Sequence, residues 1–180
     1  MPRRIISVAL PWLQAEHRLR GEGQSGLDQP FAVVEHAQGT ARLAGVNRAA
    51  TKAGLSAGQA LTDARAICPG IVTRPASSER LATFQTALTR WAERFSPLTS
   101  TDQSNALVLD ATGCTHLFGG EAPMLEALTQ ALAEHGLTAR AAMADTKGAA
   151  WALAHHGRQQ IAPPGRTRQA IADLPTTALR

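Results

Sequence analysis

Few residues of this chain have the type and spacing for chemistry, and those that do stand far from its opening. Asp102 and Asp110 bracket the run "DQSNALVLD"; carboxylates are the ligands that hard divalent cations need, but bracing the turn at "ATG" is the expected role of Asp110, and Asp102 is either a remnant ligand or an ordinary loop acid. The opening stretch "RRIISVALPWLQAEHRL" (Arg3–Leu19) has the look of a strand and helix that carry an active site, yet no carboxylate lies between Arg3 and Ala15. Cys114 and His116 in "GCTHLFGG" offer two ligands where a closed zinc site needs four, so packing is their expected role. His155 and His156 end a helical pattern, where the macrodipole favours positive side chains. Lys147 stands at the start of the same pattern. An ammonium beside free helical N–H groups suits a phosphate, and a solvated lysine is the alternative. Arg48, Lys52, Arg65 and Arg74 form either one basic face or a scatter of solvated charges.

The elements that must position these residues follow from periodicity. "RIISVAL" (4–10) is short, β-branched and stopped by Pro11, as a buried strand is. A helix over 12–20 follows, then the Gly-rich loop "GEGQSGLDQP" (21–30). "FAVVEH" (31–36) and "ARLAGV" (41–46) flank "AQGT" as a hairpin. Asn47 suits an N-cap for the short helix "NRAATKAG", with Gly54 as its stop. "LTDARAICPG" is a second short helix with Thr62 or Asp63 near its start, and "IVTRP" a strand. Beyond Pro75, Leu81, Phe84, Leu88, Trp91 and Phe95 make one apolar stripe, which predicts a core-facing helix over 78–95. Strand 106–112, a helix through Leu125, Leu128 and Leu132 closed by Gly136, strand 138–144 and the helix "TKGAAWALAHHG" complete the order. With strand 4–10 this is an α/β arrangement, an α+β sandwich of ferredoxin-like kind, into which residues 13–74 are inserted. "PPGRTRQAIADLPTTALR" begins after a Pro-Pro break and shows no evident stop, so a further domain is expected to follow.

The chain has 180 residues, 44% of them apolar, enough for one large domain or two small ones. No apolar run approaches the ~18 residues of a membrane span, and Pro11, Trp12 and Gln14 do not fit a signal peptide. A cytoplasmic protein is expected. Cys68 and Cys114, the only cysteines, make no disulfide framework and are expected to be buried and reduced. The net charge is +4, carried by arginine, with Lys52 and Lys147 the only lysines. This balance is compatible with nucleic acid phosphates. Seven Phe and Trp residues are too few for a base-stacking platform.

Three stretches, in order, resemble Y-family translesion DNA polymerases. "NRAATKAGLSAGQALTDARAICPGIVTRP" (47–75) is similar to that family's fingers segment. "ALVLDATG" (106–113) resembles the Leu-Asp-Val-Thr after its Ser-x-Asp-Glu motif. "AAMADTKGAAWALA" (141–154) resembles its Gly-Ile-Ala-x-Asn-Lys-x-x-Ala-Lys-x-Ala segment. The resemblance implies a palm of residues 1–12 and 75–163, a fingers subdomain of 13–74, and the beginning of a helical thumb at 164–180. The family opens on strand-Asp-x-Asp-x-aromatic-aromatic-x-x-x-Glu. Anchored on Glu16, its two aspartates fall on Ser7 and Ala9, and its sugar-discriminating steric gate on Trp12. Its later Asp-Glu pair falls on Asn105 and Ala106 without a gap, or on Asp102 and Gln103 with a three-residue insertion. Its triphosphate-binding Tyr and Arg fall on Arg48 and Thr51, and its second Lys on Trp151, while Lys147 keeps the first.

Polymerisation in this family uses two divalent metals about 3.5–4 Å apart. A hydroxyl and a methyl do not replace two carboxylates, so Mg²⁺ binding and nucleotidyl transfer are expected to be lost, with no cofactor and no catalytic residue. Such degeneracy, with the "LDATGCTHLFGGE" segment, resembles the ImuB class of Y-family relatives. That class implies an accessory role in damage-induced mutagenesis beside DNA, a RecA-like ImuA partner, the sliding clamp and a C-family error-prone polymerase. The alternatives are an active polymerase with relocated ligands and a pure protein scaffold that does not bind DNA.

Overall fold

A computed structural model describes residues 2–23, 28–37, 39–102, 105–175 and 178. The chain divides into two compact units, one of Met1–Pro11, Gln85–His135 and Ala139–Arg180, the other of Trp12–Phe84 and Gly136–Thr138.

In the first unit, β1 (Ile5–Ala9) is buried at every position because it is a central strand. It lies antiparallel between β6 (Ala106–Asp110) and β7 (Arg140–Ala144), and β5 (Thr99–Asp102) pairs with β6 to give the order β5-β6-β1-β7. This antiparallel order is that of a ferredoxin-like sheet. One sheet face carries Ile5, Ala9, Val108, Ala142 and Ala144, which form a cluster with Ala149, Ala150, Leu153 and Ala154 of α6 (Lys147–His156). Thr146 caps α6, its side chain accepting from the Ala149 N–H. The opposite face carries Ile6, Val8, Leu107, Leu109 and Met143, all buried. Helix α5 (Glu121–Glu134) lies against β7 and buries Met124, Leu125, Leu128 and Leu132, none of which joins the α6 cluster. The sheet is therefore covered on both sides.

The unit boundary falls within α4 (Ser78–Ala92). This helix stops three residues short of the expected Phe95. Leu88 and Phe95 are buried, whereas Leu81, Phe84 and Trp91 are only half-buried, so the expected core stripe is partly a surface of ring contacts. Trp91 tilts against Phe95 and meets His135 edge-on, at 5.6 Å in each case. Strand β5 carried no apolar alternation in "TSTD" and was not expected; its backbone pairing with β6 holds it. Both cysteines are half-buried and not buried, a second departure. A short helix, α7 (Thr167–Ile171), closes this unit.

In the second unit β2 (Phe31–Ala37) and β3 (Thr40–Val46) form the expected hairpin, and β4 (Val72–Pro75) adds in parallel beside β2. Helix α1 (Leu13–Gly21) covers one side through Ala15 and Leu19 with Phe31 and Val33. Its approach requires Gly45, where a Cβ would lie 2.8 Å from that of Gln14. On the other side Ala32, Val34, Leu43, Val46, Ala50, Leu55 and Ala64 pack with α2 (Arg48–Lys52) and α3 (Leu61–Ile67). Asn47 caps α2 as its side-chain chemistry dictates. Its Oδ1 accepts from the N–H groups of Ala50 and Phe31 while its Nδ2 donates to Gln29 O.

Candidate active site

Directly opposed residues of neighbouring strands point to the same sheet face. Three rows cross the α6-facing side of the first unit. The first is Asp102, Ala106, Ala9 and Arg140; the second is Ser100, Val108, Ser7 and Ala142; the third is Asp110, Ile5 and Ala144. Ser7, Ala9, Asp102 and Asp110 thus share one face. They do not share one spot. Asp110 lies two rows from Asp102, which at strand rise is ~13 Å along the sheet.

Ser7 is fully buried, and its Oγ has no hydrogen-bond partner. It sits between Ile5 and Ala9 along β1 and between Val108 and Ala142 across it, in an apolar setting. Asp102 is 11% exposed at its side chain, and its Oδ1 stands 3.2 Å from the Lys147 ammonium. Asp110 braces the turn after β6, its Oδ1 accepting from the Thr112 N–H at 3.1 Å while Arg3 Nε approaches Oδ2 at 3.6 Å. Burial pushes the Asp110 carboxyl up, but the bonds from Thr112 and the charge of Arg3 outweigh it and hold it below the usual range. Gln103 lies outside the described residues. Arg140 donates to the carbonyls of His155 and Gly157 and so closes the C-terminal end of α6.

In the second unit the indole N–H of Trp12 donates to Thr51 Oγ1 at 3.0 Å, and the Arg48 guanidinium lies 6.0 Å from the Trp12 ring centroid. Three positions singled out by sequence, Trp12, Arg48 and Thr51, therefore meet each other. Arg48 and Lys52 are exposed one helical turn apart on α2. Arg65 is exposed on α3. Arg74 turns to Glu22 Oε1 at 3.3 Å and to the Thr73 carbonyl. Glu16, the anchor of the opening motif, accepts from both the N–H and the hydroxyl of Thr138.

One organising residue left no sequence signal. Arg4, 5% exposed, donates to both oxygens of Glu121, to Asp145 Oδ1 and to the Ala162 carbonyl. Asp145 Oδ2 in turn accepts from Gly165 N–H and Thr167 Oγ1. A single buried guanidinium so ties the start of β1 to the segment around α7.

Residues 17–155 match the impB/mucB/samB family. The chain belongs to that family. Within it, Protein ImuB of Caulobacter vibrioides (strain NA1000 / CB15N) is 49% identical over 128 residues, covering 71% of this chain and 28% of that protein. Protein ImuB of the strain ATCC 19089 / CIP 103742 / CB 15 matches to the same extent. The chain thus spans less than a third of the length of these relatives. Among solved structures, an insertion ternary complex of Dbh DNA polymerase superposes with a TM-score of 0.83 at 17% identity, over 98% of this chain and 53% of that one. DinB from Sulfolobus solfataricus superposes at 0.71 with 20% identity, over 84% and 45%. The Y-family, ImuB-type resemblance and the palm-and-fingers fold read from the sequence both hold.

The family fold implies a pair of divalent metals, and the residues on this face do not fit them. Its two carboxylates are too far apart to share an ion, one already faces an ammonium, and between them stand Val108 and Ala142 with the hydroxyls of Ser7 and Ser100. Among the described residues no group of three or more His, Cys, Asp or Glu is placed to hold a metal. No helix among them is long and apolar enough to cross a membrane.

Proposed function

We propose that this chain is the palm-and-fingers portion of a polymerase homologue that does not itself transfer nucleotides and serves as an accessory protein in DNA-damage-induced mutagenesis. The observation that carries the reading is the burial of Ser7 in an apolar row where the family's metal-binding aspartate belongs. Two dications about 3.5–4 Å apart repel strongly unless anionic ligands lie between them. This face offers neither the ligands nor the room. The electrostatic stabilisation of a transferring phosphoryl group is lost with them.

What remains is shape and mild positive charge. Arg48, Lys52 and Arg65 are exposed and stand as candidate phosphate contacts, with Arg74 and Lys147 weaker ones because of Glu22 and Asp102. The superposed Dbh structure is an insertion ternary complex of a DNA polymerase, which supports a role at primer-template DNA. By likeness to ImuB, the synthesis itself falls to a C-family error-prone polymerase, assembled with a RecA-like ImuA partner and the sliding clamp in the cytoplasm.

Primer extension by the intact protein with Mg²⁺ or Mn²⁺ tests the reading. No template-directed incorporation is expected. Robust incorporation that Asp102→Ala abolishes would replace it with an active polymerase whose ligands have moved.

A further inference from the structure

We infer that the Lys147 ammonium is the resident cation at this end of the face, held by Asp102, the carboxylate that a divalent ion would otherwise use. The inference rests on reading the face as a former nucleotidyl-transfer site. It goes further by naming what now occupies the site.

Asp102 ends β5 with a side chain that is 11% exposed, and a carboxylate so placed needs a counter-charge. Lys147 opens α6, which packs across β1 and β7, and its Nζ lies 3.2 Å from Asp102 Oδ1. Among the described residues of this face, no second carboxylate stands in the rows beside Asp102. Asp102's row continues through Ala106 and Ala9, and the row beside it through Val108, Ser7 and Ala142. Asp110 is ~13 Å along the sheet and committed to Thr112 and Arg3. The carbonyl of Asn105 already accepts from the Leu10 N–H. One carboxylate and one ammonium balance, so a dication entering beside them would find no net negative charge to offset its own. A single tethered cation of this kind needs no metal in solution and does not exchange with one. Contacts that this face makes are therefore independent of Mg²⁺.

Mn²⁺ titration of the intact protein, read by electron paramagnetic resonance of the free ion, tests this with four proteins: wild type, Asp102→Asn, Lys147→Met and Lys147→Met/Asp102→Asn. Met keeps the stem length without the charge. The wild type is expected to bind no Mn²⁺ at this face. Lys147→Met is expected to gain weak Mn²⁺ binding at the Asp102 carboxylate, visible only at millimolar ion or above. The double variant is expected to lose it. Circular dichroism establishes that each variant is folded, and for one that is not, Lys147→Gln replaces Lys147→Met. Wild-type binding that Asp102→Asn removes would overturn the inference, as would a folded Lys147→Met that gains no site. Primer extension by the same wild-type sample separates the two ideas. Incorporation defeats the reading of the fold, whereas a metal-free Lys147→Met with no incorporation defeats only the resident cation.

Discussion

The Trp12 indole N–H is hydrogen-bonded to Thr51 Oγ1 at 3.0 Å, with Arg48 against the ring. The family resemblance assigns these positions to the steric gate and to the two triphosphate contacts. Here they satisfy one another, and Thr51 carries no charge for a phosphate. Titration with Mg²⁺ and a deoxynucleoside triphosphate, followed by tryptophan fluorescence, is expected to leave the spectrum unchanged. A saturable quench at micromolar nucleotide would contradict this.

Removing the Arg4 guanidinium is expected to be the most costly single change at the edge of β1. Arg4→Met leaves Glu121 and Asp145 without their shared cation; both are partly exposed, so the cost falls below that of a fully buried pair, at about 2 kcal/mol. Urea unfolding measures it. A loss under ~1 kcal/mol would mean that these carboxylates are served by water and that the cluster is not an anchor.

Acid should act on the same cluster. Burial raises the Asp145 carboxyl, but hydrogen bonds from Thr167, Gly165 and Arg4 outweigh it and hold it below the usual range. The folded state therefore binds fewer protons there than the unfolded one. The stabilisation is present above the unfolded value of about 3.9 and is lost as pH falls through the lower folded value. Glu16 has the opposite sign: burial raises its carboxyl more than the Thr138 bonds lower it. Its contribution is present below about pH 4.3 and fades as pH rises through the raised folded value. In denaturant melts across pH, Asp145→Asn should flatten the loss of stability on the acid side, and Glu16→Gln the loss just above it. Unchanged profiles in both would refute these assignments.

DNA binding is expected to weaken steeply with salt, because phosphate contacts release counterions. Arg48→Ala and Lys52→Ala should each reduce the slope of log affinity against log salt by about 1 if each residue meets a phosphate. Fluorescence anisotropy with the intact protein reads this. Binding undetectable even at low salt would favour a scaffold without DNA.

Much of this architecture was legible because local patterns agreed with the fold. The β-branched run at Ile5–Ala9, the Asn47 cap and the leucine spacing of α5 each state their element in side-chain chemistry alone. Strand β5 was not legible, since "TSTD" is polar and its pairing is made by backbone groups. The stripe of α4 over-promised a core because Trp91 and Phe84 spend their rings on His135 and His17, which a hydrophobicity pattern does not register. The family resemblance, anchored on Glu16, pointed to Ser7 and Ala9, but only strand register shows that Asp102 and Asp110 share their face at a distance. The Lys147–Asp102 pair lay hidden for the same reason: its partners are brought together by α6 packing on β1 and β7, a long-range event with no local trace.

The most direct test is a crystal structure of the intact protein with primer-template, an incoming deoxynucleoside triphosphate and Mn²⁺, examined for anomalous scattering at the ends of β1 and β5. The account predicts no pair of metal peaks beside Ser7, Ala9 and Asp102, with Lys147 still against Asp102. Two ordered Mn²⁺ ions about 3.5–4 Å apart and coordinated by this chain would contradict it.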